Sequence, residues 1–279
     1  MAGPNESVKT RTFGPKSGWR FVDLREVWDY RDLMFFMIWR DLKSRYAQSV
    51  LGFMWAVVQP AAFMIVFTVV FGEIAKISSD GKPYAIFSYT AVVPWTLFAG
   101  SVGAATNSLV TNQRMLTKVY FPRVIMPLMG PMSRTPDFVI SMCLMVVLMI
   151  WFNQAPTIWV LTLPLLVLII IGTAVGLGLW LSALSVQYRD VRFALPMVVQ
   201  LGLYVTPVVY PASLVPERFI LFYSVNPMVG VVEGFRAALL GSRDMPLDML
   251  AVGAMTMLLI LITGVVVFNR MERNFVDVI

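Results

Sequence analysis

FVISMCLMVVLMIWFNQAPTIWVLTLPLLVLIIIGTAVGLGLWLSALSVQY (138–188) runs for 51 residues without an Asp, Glu, Lys or Arg. A helix needs about 20 apolar residues to cross the hydrocarbon core of a bilayer, so this run holds two spans. Asn153-Gln154-Ala155-Pro156 is the natural break between them. The same reading extends outward. Ser49 to Gly72, Pro83 to Gln113, Phe193 to Pro216 and Met249 to Asn269 are also free of charge. Six spans are predicted, at about 51–71, 86–108, 124–152, 157–184, 193–210 and 248–268. Composition agrees: 58% of the chain is apolar and 14% charged, against about 45–50% and about 25% in soluble domains. The expected class is an all-α integral membrane protein.

Orientation follows from the basic residues. Nine of the 22 Lys and Arg lie in 1–50, three in 109–123, two in 185–192 and two in the tail after the last span. The opposite loops hold Lys76, Lys82, Arg218, Arg236 and Arg243. Both termini are therefore predicted to be cytoplasmic. The net charge of +6 reflects this bias. It does not point to nucleic acid, because the basic residues are scattered over loops and no basic soluble face exists. The first 20 residues lack an apolar core, so the first span is expected to act as its own signal.

Residues 1–22 read as a disordered cytoplasmic arm, with Gly3, Pro4, Gly14, Pro15 and Gly18. From Asp23 to Gln48 the pattern becomes an amphipathic helix lying in the membrane interface. Leu24, Val27, Trp28, Met34, Phe35, Ile38, Trp39, Leu42 and Tyr46 share one face. Arg25, Glu26, Asp29, Asp32, Arg40, Asp41 and Lys43 share the other. Leu33, Phe36 and Met37 interrupt the polar side. The plain alternative is a simple anchor. The domain that follows is expected to span 49–279.

Arg134 and Asp137 lie in the third span, where a lone charge is costly. Their i, i+3 spacing lets them pair. The segment 211–247 is too apolar for a solvated loop and too charged to span. Pro216 can open a short helix. Asn226 suits an N-cap, Pro227 a first helical residue, and Gly241 a stop. Two short re-entrant helices are expected over about 211–241, and irregular backbone at membrane depth requires protein or a water-filled cavity around it. Glu233 and Arg236 can pair within the second.

Much familiar chemistry is missing. There is no His, and Cys143 is the single Cys, which excludes His-based acid–base work, thiol pairs and Cys/His metal sites. No G-x-x-x-x-G-K-[ST] motif is present, so the chain carries no nucleotide site of that common type. If it moves a substrate, the energy comes from another subunit.

Four stretches then point to a family. SRYAQSVLGFMWAVVQP (44–60), KVYFPRVIMPL (118–128), QYRDVRFALP (187–196), and YPASLVPERF (210–219) with NPMVGVVEGFRAALLG (226–241) resemble the permease subunits of type-2 ABC exporters. The nearest branch exports O-antigen, capsule, teichoic acid and related lipid-linked polysaccharides. Val124 stands where many relatives have Glu, and Thr135-Pro136 precedes Asp137 where Val or Leu is common. The resemblance implies a homodimer of this chain in the bacterial cytoplasmic (inner) membrane, bound to two separate ATPase subunits. ATP and Mg would sit on those subunits, with no cofactor on this chain. It implies that the interfacial helix and short cytoplasmic loops receive the ATPase motion, with Arg40, Lys43, Arg114, Lys118, Tyr188, Arg189 and Asp190 as contacts. It also implies an outer gate carrying Glu217, Arg218, Phe219, Phe222, Tyr223, Glu233 and Arg236, and a channel lined by the first and fifth spans.

The residue types suit that role. Aromatic rings can stack on the C–H faces of sugars without selecting one sugar, an extension of ring quadrupole chemistry. Trp55, Phe63, Trp95, Phe98, Tyr204 and Tyr210 are the candidates, and lipid-facing or packing roles are the alternative for each. Arg40, Arg45 and Arg123 could meet a lipid pyrophosphate through charge-assisted bonds, or anionic membrane lipids. Two other functions fit the same chain less fully: export of a small hydrophobic compound or lipid, and a membrane-embedded transferase acting on lipid-linked sugars.

The interfacial helix runs into the first span without a polar linker, a join that can transmit a push. Inserting four Gly/Ser residues between Gln48 and Ser49 is expected to leave insertion and assembly intact. It should uncouple ATP hydrolysis from export, measured side by side in reconstituted vesicles.

Overall fold

The computed structural model describes residues 24–47, 49, 51–116, 118 and 120–272, and its regular structure is helical. The arm expected over 1–22 and the tail 273–279 lie outside the described residues. Helices α1 (Leu24–Asp29) and α2 (Arg31–Tyr46) precede the first long element. That element is a 3₁₀ turn at Gly52–Met54, α3 (Trp55–Phe67) and a π-helical end at Thr68–Ile74. Then come α4 (Tyr84–Thr111), the short α5 (Gln113–Leu116), α6 (Ile125–Trp151), and α7 (Leu163–Gln187) with a 3₁₀ lead-in at Ile158–Thr162. The chain closes with α8 (Asp190–Val205), α9 (Glu217–Tyr223), α10 (Pro227–Leu240) and α11 (Leu247–Glu272).

Among the described residues five helices are long and apolar enough to cross a membrane: Gly52–Ile74, Tyr84–Thr111, Ile125–Trp151, Ile158–Gln187 and Leu247–Glu272. They match five of the six expected spans within a few residues. The break at 153–156 also falls where expected, with Asn153 in the left-handed region at φ 51°. The span expected at 193–210 differs. Its helix, α8, has 16 residues, about 24 Å at 1.5 Å per residue, against a hydrocarbon core of about 30 Å. The residues from Thr206 to Val209 leave the helix and are buried as turns. Pro207 lies just beyond the helix and lacks the N–H to continue it.

Helix α4 is the central post and packs against α3, α6, α7, α8 and α10. In a membrane the drive for helix association is close packing, which small residues permit. Ala105 of α4 sits between two glycines. A Cβ on Gly130 of α6 would lie 2.5 Å from the Ala105 nitrogen, and one on Gly178 of α7 would lie 2.4 Å from the Ala105 Cβ. A second close crossing joins α7 to α11, where a Cβ on Gly264 would lie 2.5 Å from the Gly176 carbonyl oxygen.

Helix α10 forms as its sequence directs. The Asn226 side chain accepts from the Met228 N–H, Pro227 opens the first turn, and Gly241 closes the helix at φ 58°. Every one of its 14 residues is buried. At about 21 Å it is a short helix enclosed by protein, held against α4, α7 and α11.

The interfacial segment departs from a single-stripe amphipathic helix. Met37, expected as a break in the polar side, is fully buried in a cluster with Leu109, Phe121, Ile125, Met126 and Phe268, and Leu33, Met34 and Ile38 pack around it. Trp28, Phe35, Phe36 and Trp39 are exposed. The helix thus has two apolar edges, one against the bundle and one left open. Tyr46, expected toward lipid, turns inward and donates to Asp137 on α6. A helical wheel cannot separate apolar residues that meet protein from those that meet lipid, which is why Met37 and Tyr46 read wrongly from sequence.

Close packing of α7 on α11 gives a direct test. Gly264→Val is expected to lower the thermal midpoint of the purified chain in detergent by at least 5 °C. Gly103→Ala should change it little, since a Cβ there meets nothing within 4 Å. Intrinsic fluorescence during heating reads both.

Candidate functional site

A cavity of about 560 Å³ lies between α3, α4, α6 and α8, at the end of α2. Its walls come from helix faces set by the 3.6-residue period. From α3 come Trp55, Ala56, Gln59, Pro60 and Phe63. From α8 come Pro196, Val199, Gln200, Leu203 and Tyr204. Helix α4 adds Trp95 and Thr96. One end carries charge: Arg45, Arg134 and Asp137 line it with Tyr46.

That charged end is built around Asp137. Arg45 Nη1 donates to Asp137 Oδ2 at 2.9 Å, and Tyr46 donates its hydroxyl to Oδ1. Arg45 Nη1 also donates to the Ser133 carbonyl at 3.1 Å. Arg134, one turn before Asp137, stands 3.8 Å away. The i, i+3 pair read from the sequence is therefore the weaker one, and α2 supplies the closer partner. Two guanidinium groups share one carboxylate, so this end of the cavity carries a net positive charge.

Four of the six candidate aromatics share this cavity: Trp55, Phe63, Trp95 and Tyr204. Phe98 packs beside Trp95 with ring centroids 5.4 Å apart. Tyr210 lies past the end of α8, where its hydroxyl donates to the Tyr204 carbonyl at 3.1 Å and meets the Tyr223 hydroxyl at 2.9 Å. Burial, together with Tyr210, pushes the Tyr223 hydroxyl well above the usual phenol range.

The three arginines considered for a pyrophosphate do not converge. Arg45 lines the cavity. Arg40 instead donates to Asn112 Oδ1 and to Asp41 at 3.0 Å, tying α2 to the α4–α5 turn. Arg123 donates to the Glu272 carbonyl at 3.2 Å, capping the end of α11.

The candidate coupling residues lie at one end of the bundle. The Ser185 hydroxyl donates to the Thr106 carbonyl, which places the α7–α8 turn beside the end of α4. There Lys43, Arg114, Lys118, Tyr188, Arg189 and Asp190 are exposed, while Arg40 is half-buried.

The candidate gate residues divide into two groups. On α9, Glu217, Arg218, Phe219 and Phe222 are exposed, with the Arg218 guanidinium 4.7 Å from the Phe219 ring centre. On α10, Glu233 is 6% and Arg236 0% exposed. Arg236 donates to Glu233 at 2.8 Å and to the carbonyls of Val208 and Tyr210, and stacks over Phe87. Glu233 also accepts from the Ala212 N–H. The pair pins the irregular 208–212 segment to α10. Removing one member would leave the other buried and uncompensated.

Sequence reading missed Tyr46, Gln59, Thr96 and Gln200 in the cavity. Gln59 and Gln200 carried a usable signal, each being an amide inside a charge-free apolar run. The Arg45–Asp137 bond joins residues 92 positions apart, and no local pattern carries it.

Comparison with known proteins places this architecture. The family model described as ABC-2 type transporter matches residues 32–240. The chain is 32% identical to the O-antigen export system permease protein RfbA of Myxococcus xanthus over 216 residues, 77% of this chain and 82% of that protein. It is 24% identical to the O-antigen export system permease protein RfbA of Klebsiella pneumoniae, covering 89% of this chain and 95% of that protein. The Polysialic acid transport protein KpsM of Escherichia coli is 21% identical over 84% of this chain and 91% of that protein. With three quarters of its length under one family model and five membrane-length helices packed with a short buried one, the chain belongs to the ABC-2 type transporter family.

Proposed function

We propose that this chain is the channel-forming permease of an ATP-driven exporter that moves a lipid-linked polysaccharide, O-antigen-like or related, across the bacterial inner membrane. The observation that carries the reading is the cavity. It combines four aromatic rings along apolar walls with a net positive charge at one end. A glycan chain needs weak, repeated contacts along its length, and the rings supply them. A lipid pyrophosphate needs cationic donors, and Arg45 and Arg134 supply them at the end where α2 meets the bundle.

The working assembly is a homodimer on two copies of an ATPase subunit, which hold ATP and Mg. In this reading the exposed residues Lys43, Arg114, Lys118, Tyr188, Arg189 and Asp190 meet the ATPases, and their side is cytoplasmic, as are both termini. Helix α8 with the turn at 206–209 completes a sixth crossing that faces the cavity. Helices α9 and α10 form the outer mouth, with exposed α9 as the moving part and α10 as its fixed support. Trp28, Phe35, Phe36 and Trp39 rest in the lipid interface. Motion of α2 then reaches the cavity through Arg45, Tyr46 and Asp137.

Cells lacking this chain are expected to lose their surface polysaccharide and to accumulate its lipid-linked precursor on the inner leaflet, with recovery on complementation. Unchanged surface polysaccharide accompanied by sensitivity to a hydrophobic compound would overturn the substrate class. Complementation with Trp55→Ala or Tyr204→Ala should slow export several-fold without loss of the protein.

Asp137→Asn removes the counter-ion shared by Arg45 and Arg134. It should destabilise the chain by about 2 kcal/mol, less than the 3–5 kcal/mol typical of a fully buried pair because these side chains remain partly exposed. ATP hydrolysis in the assembled complex should then continue while export falls, measured together in vesicles.

A further inference from the structure

Gln59 and Gln200 stand out among the cavity residues. Both are exposed to the cavity. Gln59 lies seven residues beyond Gly52, about 10 Å into the first spanning element, and Gln200 lies ten residues beyond Asp190, about 15 Å along α8. The runs around them, 49–72 and 193–216, hold no charge. Among the described residues neither amide makes a hydrogen bond. The aliphatic hydroxyls of the wall are already occupied. Thr96 donates to the Val93 carbonyl, and Ser141 to the carbonyls of Ala56 and Asp137. Each free glutamine amide brings two donors and two acceptor lone pairs, and leaving such a group unsatisfied at membrane depth is costly.

Their neighbours give the amides a direction. Trp55, Gln59 and Phe63 are spaced i, i+4, i+8, so they stack along one face of α3, with successive positions about 6 Å apart. Gln200 and Tyr204 are spaced i, i+4 on α8 and face the same cavity. Each wall therefore sets an amide one helical turn from an aromatic ring. A sugar presents a C–H face that stacks on a ring and hydroxyl edges that both donate and accept. An amide matches those edges, and a second ring one turn away meets the next sugar.

We propose that Gln59 and Gln200 form the hydrogen-bonding rung of the translocation cavity, recognising the hydroxyl edges of neutral sugar units while the rings hold their faces. The proposal rests on the reading of this cavity as the polysaccharide path. The rung makes passage sensitive to the hydroxyl pattern of the chain, which stacking alone leaves unread. It also keeps the site uncharged beyond the arginine end, so a neutral polymer moves through without a fixed counter-charge to hold it.

The test uses the whole transporter in producing cells and its own polysaccharide. Gln59→Leu, Gln200→Leu, the double variant, and the double Gln→Asn variant are compared by rate of surface polysaccharide appearance after a labelled-sugar pulse. Thermal midpoint and chemical cross-linking of the purified complex are measured alongside. The expected result is a double Leu variant that assembles, is as stable as the parent or more so, and exports about tenfold more slowly, or about 1.4 kcal/mol. The Asn variant should recover much of that loss. Undiminished export with raised stability would show glutamines that only face lipid and would overturn the proposal. Loss of the cross-linked assembly in the double Leu variant would show amides that join helices to one another, and would overturn it too. If Trp55→Ala and Tyr204→Ala slow export while the Leu variants do not, the rung alone fails. If none of these variants slows export, the cavity is not the path.

Discussion

Asp137 ties the end of α2 to α6. A carboxylate inside a bundle of apolar helices is costly unless donors surround it. Here Arg45 and Tyr46 at the end of α2 donate to it, and Arg134 on the same helix adds a second positive charge 3.8 Å away. The interfacial segment is therefore not merely laid on the bundle. Its last turn is bonded into the wall of the cavity. Between that turn and the first span lie Ala47 to Leu51, followed by Gly52 in the left-handed region at φ 49°. In the proposed reading, a short joint and an ionic clamp together make α2 a lever whose far end sits in the substrate path.

The rest of the architecture gives that lever something rigid to act against. Gly130 and Gly178 let α6 and α7 close on Ala105 of α4, and Gly176 with Gly264 does the same for α7 and α11. Helix α10 is buried on every side, and its Glu233–Arg236 pair anchors the irregular stretch after α8. Against this block, α3 and α8 present the cavity-facing aromatics and amides, and their outer faces are exposed at Ile65, Val66, Met197, Val198 and Leu201. Those are the apolar surfaces that a second copy or lipid would cover.

Much of this was written plainly in the sequence. Charge-free runs set five long helices, because length and apolarity alone decide what crosses a bilayer. Asn226, Pro227 and Gly241 set the ends of α10 through local capping chemistry. Other features could not be read that way. Met37 lies in a polar stretch of the wheel, yet it is fully buried, since docking depends on helices far away in sequence. Arg45 reads from sequence as a lipid-phosphate candidate, and nothing near it points to Asp137, its partner 92 positions away. The shortness of α8 did have a local cause in Pro207, but a count of apolar residues passes over it. The cavity itself is a product of packing: four of six candidate rings meet there, while Phe98 and Tyr210 go elsewhere.

In the proposed reading the polysaccharide passes between α3, α4, α6 and α8. Site-specific photocross-linking reads this most directly. A photoreactive residue is placed at Trp55, at Tyr204, or at the outward-facing Val147 of α6, which is 57% exposed, in cells making labelled polysaccharide. Passage between these helices requires label on the chain from positions 55 and 204 during ATP-driven export and none from 147. Equal labelling at all three, or labelling at 147 alone, would contradict it.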